Sequence, residues 1–217
     1  MCKCARTDTV YIHERTNVNI HGKDTLVVIF IDGLRGRDKK GNEINFIATI
    51  FNGVRQWEIG SDSTLIGGSG GRLKIKDFGK MIVDYKIYQD SYDIICIGLA
   101  CEKGKLSRKK QEELSENRAL ALIDAISVDK EKGLYSLSYG QHLETENHSN
   151  NTDKQRSVVI FGVTDVGKER KEIQEALEDV LNQDYFKNSE YYYRDYSKYI
   201  DKTKSIEIVD RRDKKMK

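Results

Sequence analysis

The sequence predicts an α+β fold: a mixed sheet with helices packed on one face, arranged as a βαβαββ sandwich. Three observations carry that reading. Compact β-branched runs occur at Leu26–Ile31 and Ser157–Val163, of the kind that form strands. The spacing of apolar residues changes from strand-like to helical at Arg72. Between Leu73 and Val163 the pattern reads helix, strand, helix, strand, strand, and one strand from further upstream completes the sandwich.

Composition narrows the classes first. The chain has 217 residues, no proline, 37 basic and 35 acidic side chains, and a net charge of +2. That balance lacks the basic excess of a dedicated nucleic-acid binder. A hydrophobic share of 38% with so small a net charge argues against intrinsic disorder. No segment approaches the ~18–20 apolar residues of a membrane-spanning helix. Met1 to Ile20 lacks the apolar core of a secretory signal. Four cysteines, Cys2, Cys4, Cys96 and Cys101, are too few for a disulfide scaffold, so a reduced protein with a hydrophobic core is expected.

Residues 1–66 read as a β-meander. Asp24–Ile31 is a strand followed by Asp32-Gly33 turn chemistry, and Ile44–Phe51 is a second strand. Asn52-Gly53 predicts a tight hairpin, with Val54–Ile59 returning as a third strand that carries the single tryptophan, Trp57. Gly67-Gly68-Ser69-Gly70-Gly71 marks a boundary and reads as a flexible connector. It lacks the Gly-Lys-Ser/Thr of a phosphate loop.

Residues 67–165 form the central unit. Leu73, Ile75, Phe78, Ile82, Val83 and Ile87 recur at helical spacing. Tyr92–Gly98 is a buried strand, Gln111–Ile126 a second helix with a stripe of Leu114, Ala119, Leu122, Ile123 and Ile126, and Leu134–Tyr139 a short strand. Residues 166–217 are an extension. Ile173, Ala176, Leu177, Val180 and Leu181 line one face of a helix. Tyr191, Tyr192, Tyr193, Tyr196 and Tyr199 cluster after it, Ser205–Val209 reads as a strand, and Asp210 to Lys217 as a disordered end. The helix and tyrosines are read either as packing or as a docking surface for a protein partner.

Five ordered pieces in the middle of the chain resemble one family. A strand ends in Gly98-Leu99-Ala100-Cys101, a loop with Gly104 follows, and Leu114-Ser115-Glu116-Asn117-Arg118-Ala119 opens the second helix. Tyr139-Gly140-Gln141 ends the next strand, and Asn151-Thr152 with Gln155-Arg156-Ser157-Val158-Val159-Ile160 leads into the last. The segment, about residues 72–163, resembles the OmpA-like domain family, which includes MotB and Pal. That resemblance implies a noncatalytic domain of the cell envelope that binds the peptide stem of peptidoglycan, without a cofactor or resident metal. It implies a ligand site at Arg118, Cys101, Glu102, Asn117 and Arg156. Cys101 stands where the family has an aspartate, and Ser157 where it has a second arginine. A neutral thiol is a poor acceptor and does not replace a carboxylate. Weak or absent binding of diaminopimelate-type peptidoglycan is therefore expected.

Two localisations follow from different cues: the envelope from the resemblance, the cytosol from the absent signal segment and the cysteines. The second goes with an intracellular interaction module that has lost wall binding. Other chemistries were weighed on their residue types. Cys101 as a nucleophile needs a histidine base, from His13, His21, His142 or His148. Cys2, Cys4, Cys96 and Cys101 could supply thiolates to zinc, but not at finger or ribbon spacing. His142, Glu144, Glu146 and His148 share one polar loop.

Overall fold

The computed structural model describes residues 11–20, 24–67, 71–83, 86–101, 106–126, 132–143, 154–189, 191–201 and 203–214. Strands β1 (Tyr11–Ile20), β2 (Asp24–Arg37) and β3 (Glu43–Trp57) form an antiparallel meander, followed by the short strands β4 (Thr64–Gly67) and β5 (Arg72–Lys74). Helices α1 (Ile75–Val83) and α2 (Lys86–Gln89) lead into β6 (Asp93–Ala100). Helix α3 (Arg108–Ile126) then connects to β7 (Gly133–Gln141), which lies parallel to β6. A 3-10 turn, Lys154–Arg156, opens β8 (Ser157–Val163). Helices α4 (Arg170–Leu181) and α5 (Asp184–Lys187), a two-residue strand β9 (Val209–Asp210) and a one-turn helix α6 (Arg211–Lys214) complete the order.

The strands form one mixed sheet in the order β1-β2-β3-β8-β6-β7-β9, with β4 and β5 continuing from the end of β3. The expected α+β sandwich is present. Its strands β3, β6, β7 and β8 alternate with α1 and α3 in the βαβαββ order, and β3 from the meander supplies the first strand. The three segments drawn from composition share this one sheet.

Several local expectations are corrected. Asn52-Gly53 is not a hairpin, because β3 runs through it. The irregularity is absorbed in pairing with β8, where the register shifts between Phe51 and Gln56. Asp32-Gly33 likewise lies inside β2, at a register shift between Ile31 and Leu34, a bulge rather than a chain reversal. The glycine-rich segment joins two paired strands, since Ile66 lies opposite Arg72; residues 68–70 lie outside the described residues. Arg72–Lys74 is strand, so the first helix begins at Ile75. Of the expected Ser205–Val209 strand only Val209 is strand, and the charged end is ordered at Asp210, which continues that strand, and at Arg211–Lys214, which is helical.

The largest correction concerns the layers. Helices do not lie on one face only. Alternate residues of each central strand enter two separate cores, as a pleated strand buried on both sides requires. Ile94, Cys96, Val158 and Ile160 pack with Phe78, Leu122, Ile123 and Ile126 of α1 and α3. Ile95, Ile97, Leu99, Val159 and Phe161 pack instead with Ile173, Leu177, Val180 and the tyrosines of the extension. The extension is the second covering layer. Tyr191, Tyr193, Tyr196 and Tyr199 are at most 6% exposed, with rings of Tyr193, Tyr196 and Tyr199 packed around Tyr139 at centroid distances of 5.3–6.3 Å. The α4 stripe is buried as well. The packing reading of the helix and tyrosines accounts for this burial: the α4 stripe and four of the five tyrosines are spent on the sheet, with Tyr192 partly buried beside them.

Candidate functional site

Arg118 lies on α3 and is 1% exposed. Its guanidinium reaches the tip of β6 and the turn joining β3 to β4. Nη1 donates to the carbonyl of Leu99 at 2.7 Å, Nη2 to that of Glu58 at 2.9 Å, and Nε to that of Ser61 at 2.9 Å. Its Cζ stands 5.4 Å from the centroid of the Trp57 ring. A planar fork with donors on both edges suits this role, because it can tie three carbonyls from two chain segments to one helix. Burial pushes the Arg118 guanidinium down to about 9, with neighbouring Arg156 acting in the same direction and Cys101 and Asp62 opposing. At neutral pH it is still a cation. The three carbonyl dipoles compensate a charge that would otherwise be costly to bury.

Arg156 converges on the same turn. It is 4% exposed and its Nη1 donates to the carbonyl of Trp57 at 2.8 Å. Cys101 directly follows β6 and is 3% exposed. The structure thus gathers Arg118, Arg156 and Cys101 at one end of the sheet, beside the tip of the Cys96 strand. Asn117 is exposed on α3, away from Arg118, since adjacent helix positions diverge by ~100°. Glu102 lies outside the described residues. Neither Glu113 nor Asp93 pairs with Arg118. Its acceptors are backbone carbonyls, and Asp93 sits at the opposite end of β6.

Helix α3 is set against the sheet by a serine-glycine contact. The hydroxyl of Ser115 donates to Gly98 O at 2.7 Å, accepts from Gly140 N–H at 3.0 Å and lies 2.8 Å from the Ser138 hydroxyl. A Cβ on Gly98 would stand 1.7 Å from Ser115 O. The Leu-Ser-Glu-Asn-Arg-Ala run therefore sets the helix with its serine and the β3–β4 turn with its arginine. This turn, Glu58 to Ser63, is the contribution that sequence reasoning missed. The buried Trp57 beside it was the available signal.

Among the described residues, Cys96 and Cys101 are both buried and are not bridged to each other. Burial drives the Cys96 thiol far above the ordinary range. The parallel register of Ala100 against Gln141 puts Cys101 and His142 at neighbouring strand ends. Both are nearly excluded from solvent, at 3% and 2% exposure, whereas a reactive thiol is partly exposed. Cys2, Cys4, His13, Glu144, Glu146 and His148 fall where side chains lie outside the described residues. Among the described residues, no group of three or more histidine, cysteine or carboxylate side chains is placed to hold a metal ion.

The likeness in solved structures is to OmpA-like domains. The periplasmic domain of MotB overlaps 68% of this chain and 82% of its own, at 19% identity and a TM-score of 0.37. A periplasmic domain of Helicobacter pylori MotB overlaps 69% of this chain and 99% of its own, at 17% identity and a TM-score of 0.37. The OmpA-like domain of FopA1 from Francisella tularensis subsp. tularensis SCHU S4 overlaps 56% and 78%, at 16% identity and a TM-score of 0.32. No protein-family model matches the chain, and no curated protein matches it by sequence. The overlaps are partial, and the reading of the fold rests on the strand order above. No helix among the described residues is long and apolar enough to cross a membrane.

Proposed function

We propose that this chain is a noncatalytic, OmpA-like module of the cell envelope whose peptidoglycan-peptide site has become an internal clasp. The observation that supports this is the fate of Arg118. In the resembled family the helix arginine holds a charged group of the ligand, a task suited to bidentate pairing with a carboxylate. Here the guanidinium is committed to the carbonyls of Leu99, Glu58 and Ser61. To receive a peptide carboxylate it would have to abandon the buried carbonyl of Leu99, at about 1–3 kcal/mol when left unsatisfied, and release the part-buried carbonyls of Glu58 and Ser61. Cys101 adds no carboxylate for the opposite charge of the ligand. The two departures point the same way: wall-peptide affinity is traded for fixation of the β3–β4 turn.

Cosedimentation with purified, diaminopimelate-containing sacculi tests this. The protein is expected to stay in the supernatant under conditions where an OmpA-like domain with the usual aspartate and arginine pellets. Tight retention that a free diaminopimelate peptide competes away would overturn the clasp. The compartment is tested separately, by fractionating cells that express the complete gene. Recovery with the cytosol would sink the envelope assignment.

A further inference from the structure

Strand β7 breaks the rule that a strand covered on both sides is apolar on both. On the tyrosine side it follows the rule with Tyr135, Leu137 and Tyr139. On the α3 side Leu134 joins the core, but the next same-face positions are Ser136, Ser138 and Gly140. A cavity of about 1010 Å³ opens there, between the first turns of α3, β7 and the stretch from Ser197 to Val209.

The floor is Ser136 and Ser138, both buried. One wall is the α3 strip of Arg108, Glu112 and Glu116, spaced four residues apart as a single helix face requires. The opposite wall carries Lys198, Lys204 and Glu207. Some of these groups are fixed by one another. Arg108 Nε donates to Glu112 Oε1 at 3.2 Å, the Ser197 hydroxyl donates to the same oxygen at 2.6 Å, and Lys198 Nζ is 3.8 Å from Glu116 Oε2. Lys109 and Lys204 add two exposed ammonium groups. The lining holds one more cation than carboxylate, and its surface is about as apolar as it is polar.

We propose that this cleft binds a hydroxyl-rich anion of the acidic-oligosaccharide class. The protons of Ser136, Ser138 and Ser197 are committed to Val209 O, Ser115 Oγ and Glu112 Oε1, so these hydroxyls, like the carboxylates, accept from the hydroxyls of a sugar. The lysines hold its carboxylate as flexible point charges. The space falls at the upper end of small-molecule sites, roughly 300–1,000 Å³, more than a single inorganic anion fills. The cleft uses none of Arg118, Cys101 or Arg156, so it stands independently of the clasp.

Isothermal titration with trigalacturonate, maltotriose, triglutamate and inorganic phosphate tests the assignment. The test compares the full chain with a Lys109→Glu, Lys204→Glu double variant, whose two positions are exposed and whose folding is checked by circular dichroism. Saturable one-to-one binding of trigalacturonate is expected, weaker by about tenfold or more in the double variant and at raised salt. Maltotriose is expected to bind less well than trigalacturonate. Absence of saturable binding, or binding unchanged in the double variant, would overturn the site. Tighter binding of triglutamate or phosphate would overturn the sugar class.

Discussion

The two faces of the sheet are closed by different means. On one side α1 and α3 lay a regular aliphatic stripe against Ile94, Cys96, Val158 and Ile160. On the other, one regular helix, α4, packs chiefly over β2, while an irregular run of tyrosines gathers around Tyr139 of β7. Each face nevertheless depends on one glycine where a helix backbone comes close. A Cβ on Gly98 would meet Ser115 O at 1.7 Å, and one on Gly36 would meet Ala176 O at 1.9 Å. The difference teaches that layer closeness is set by glycine placement on both sides, whereas layer rigidity is supplied by helix periodicity on one and by ring packing on the other.

Arg118 offers the largest break in that comparison, because only the α3 side has a buried clasp. Arg118→Ala should cost about 2–4 kcal/mol, from the lost packing of its buried stem and the buried Leu99 carbonyl left without this donor, measured as a lowered urea midpoint. A loss below about 1 kcal/mol, the range of an exposed ion pair, would mean the guanidinium is not holding the β3–β4 turn. Next come the glycines. Gly36→Ala and Gly98→Ala should each cost about 1–3 kcal/mol through overpacking against backbone. A harmless Gly36→Ala would show that α4 packs more loosely than α3.

The mildest probe is pH, and it addresses the tyrosine side alone. Burial pushes the phenols of Tyr193 and Tyr199 up to about 12, chiefly by desolvation, and that of Tyr139 well above its ordinary range. A group whose folded value is raised binds its proton more tightly in the folded state. Its contribution is complete below the unfolded value of ~10 and is lost as pH rises toward 12. Unfolding midpoints should therefore fall between pH ~10 and ~12, with tyrosinate absorbance appearing in step with unfolding. Ready titration of these phenols in the folded protein would contradict the buried cluster.

The regular parts of this architecture were legible in sequence, and the irregular parts were not. β8, α3 and α4 follow from strong periodicity or unbroken β-branched runs, with ends displaced by only a few residues. β3 defeated the reading because turn residues at Asn52-Gly53 sit inside a strand whose pairing with β8 tolerates a register shift. The two-sided burial of β6 was written in its continuous apolar run, but what covers its second face depends on contacts from residues more than sixty positions away. At the candidate site, the spacing brought Arg118 to the Cys96 strand tip correctly. The inward commitment of its donors depends on the turn after Trp57, whose Gly60-Ser61-Asp62-Ser63 run marks a turn but not the distant arginine that it binds.

The position of β8 has a consequence for how the chain is made. It lies between β3 and β6 and is hydrogen-bonded to both, yet it is built from residues 157–163. Until that segment leaves the ribosome, the meander and the β6–β7 pair have no common partner, and each exposes an adhesive strand edge. Closure of the sheet is thus a late, long-range event, of the kind that slows folding. A nascent chain stalled before Ser157 should be a preferred client for chaperones, and release of the stall should end that dependence within the time of one strand insertion.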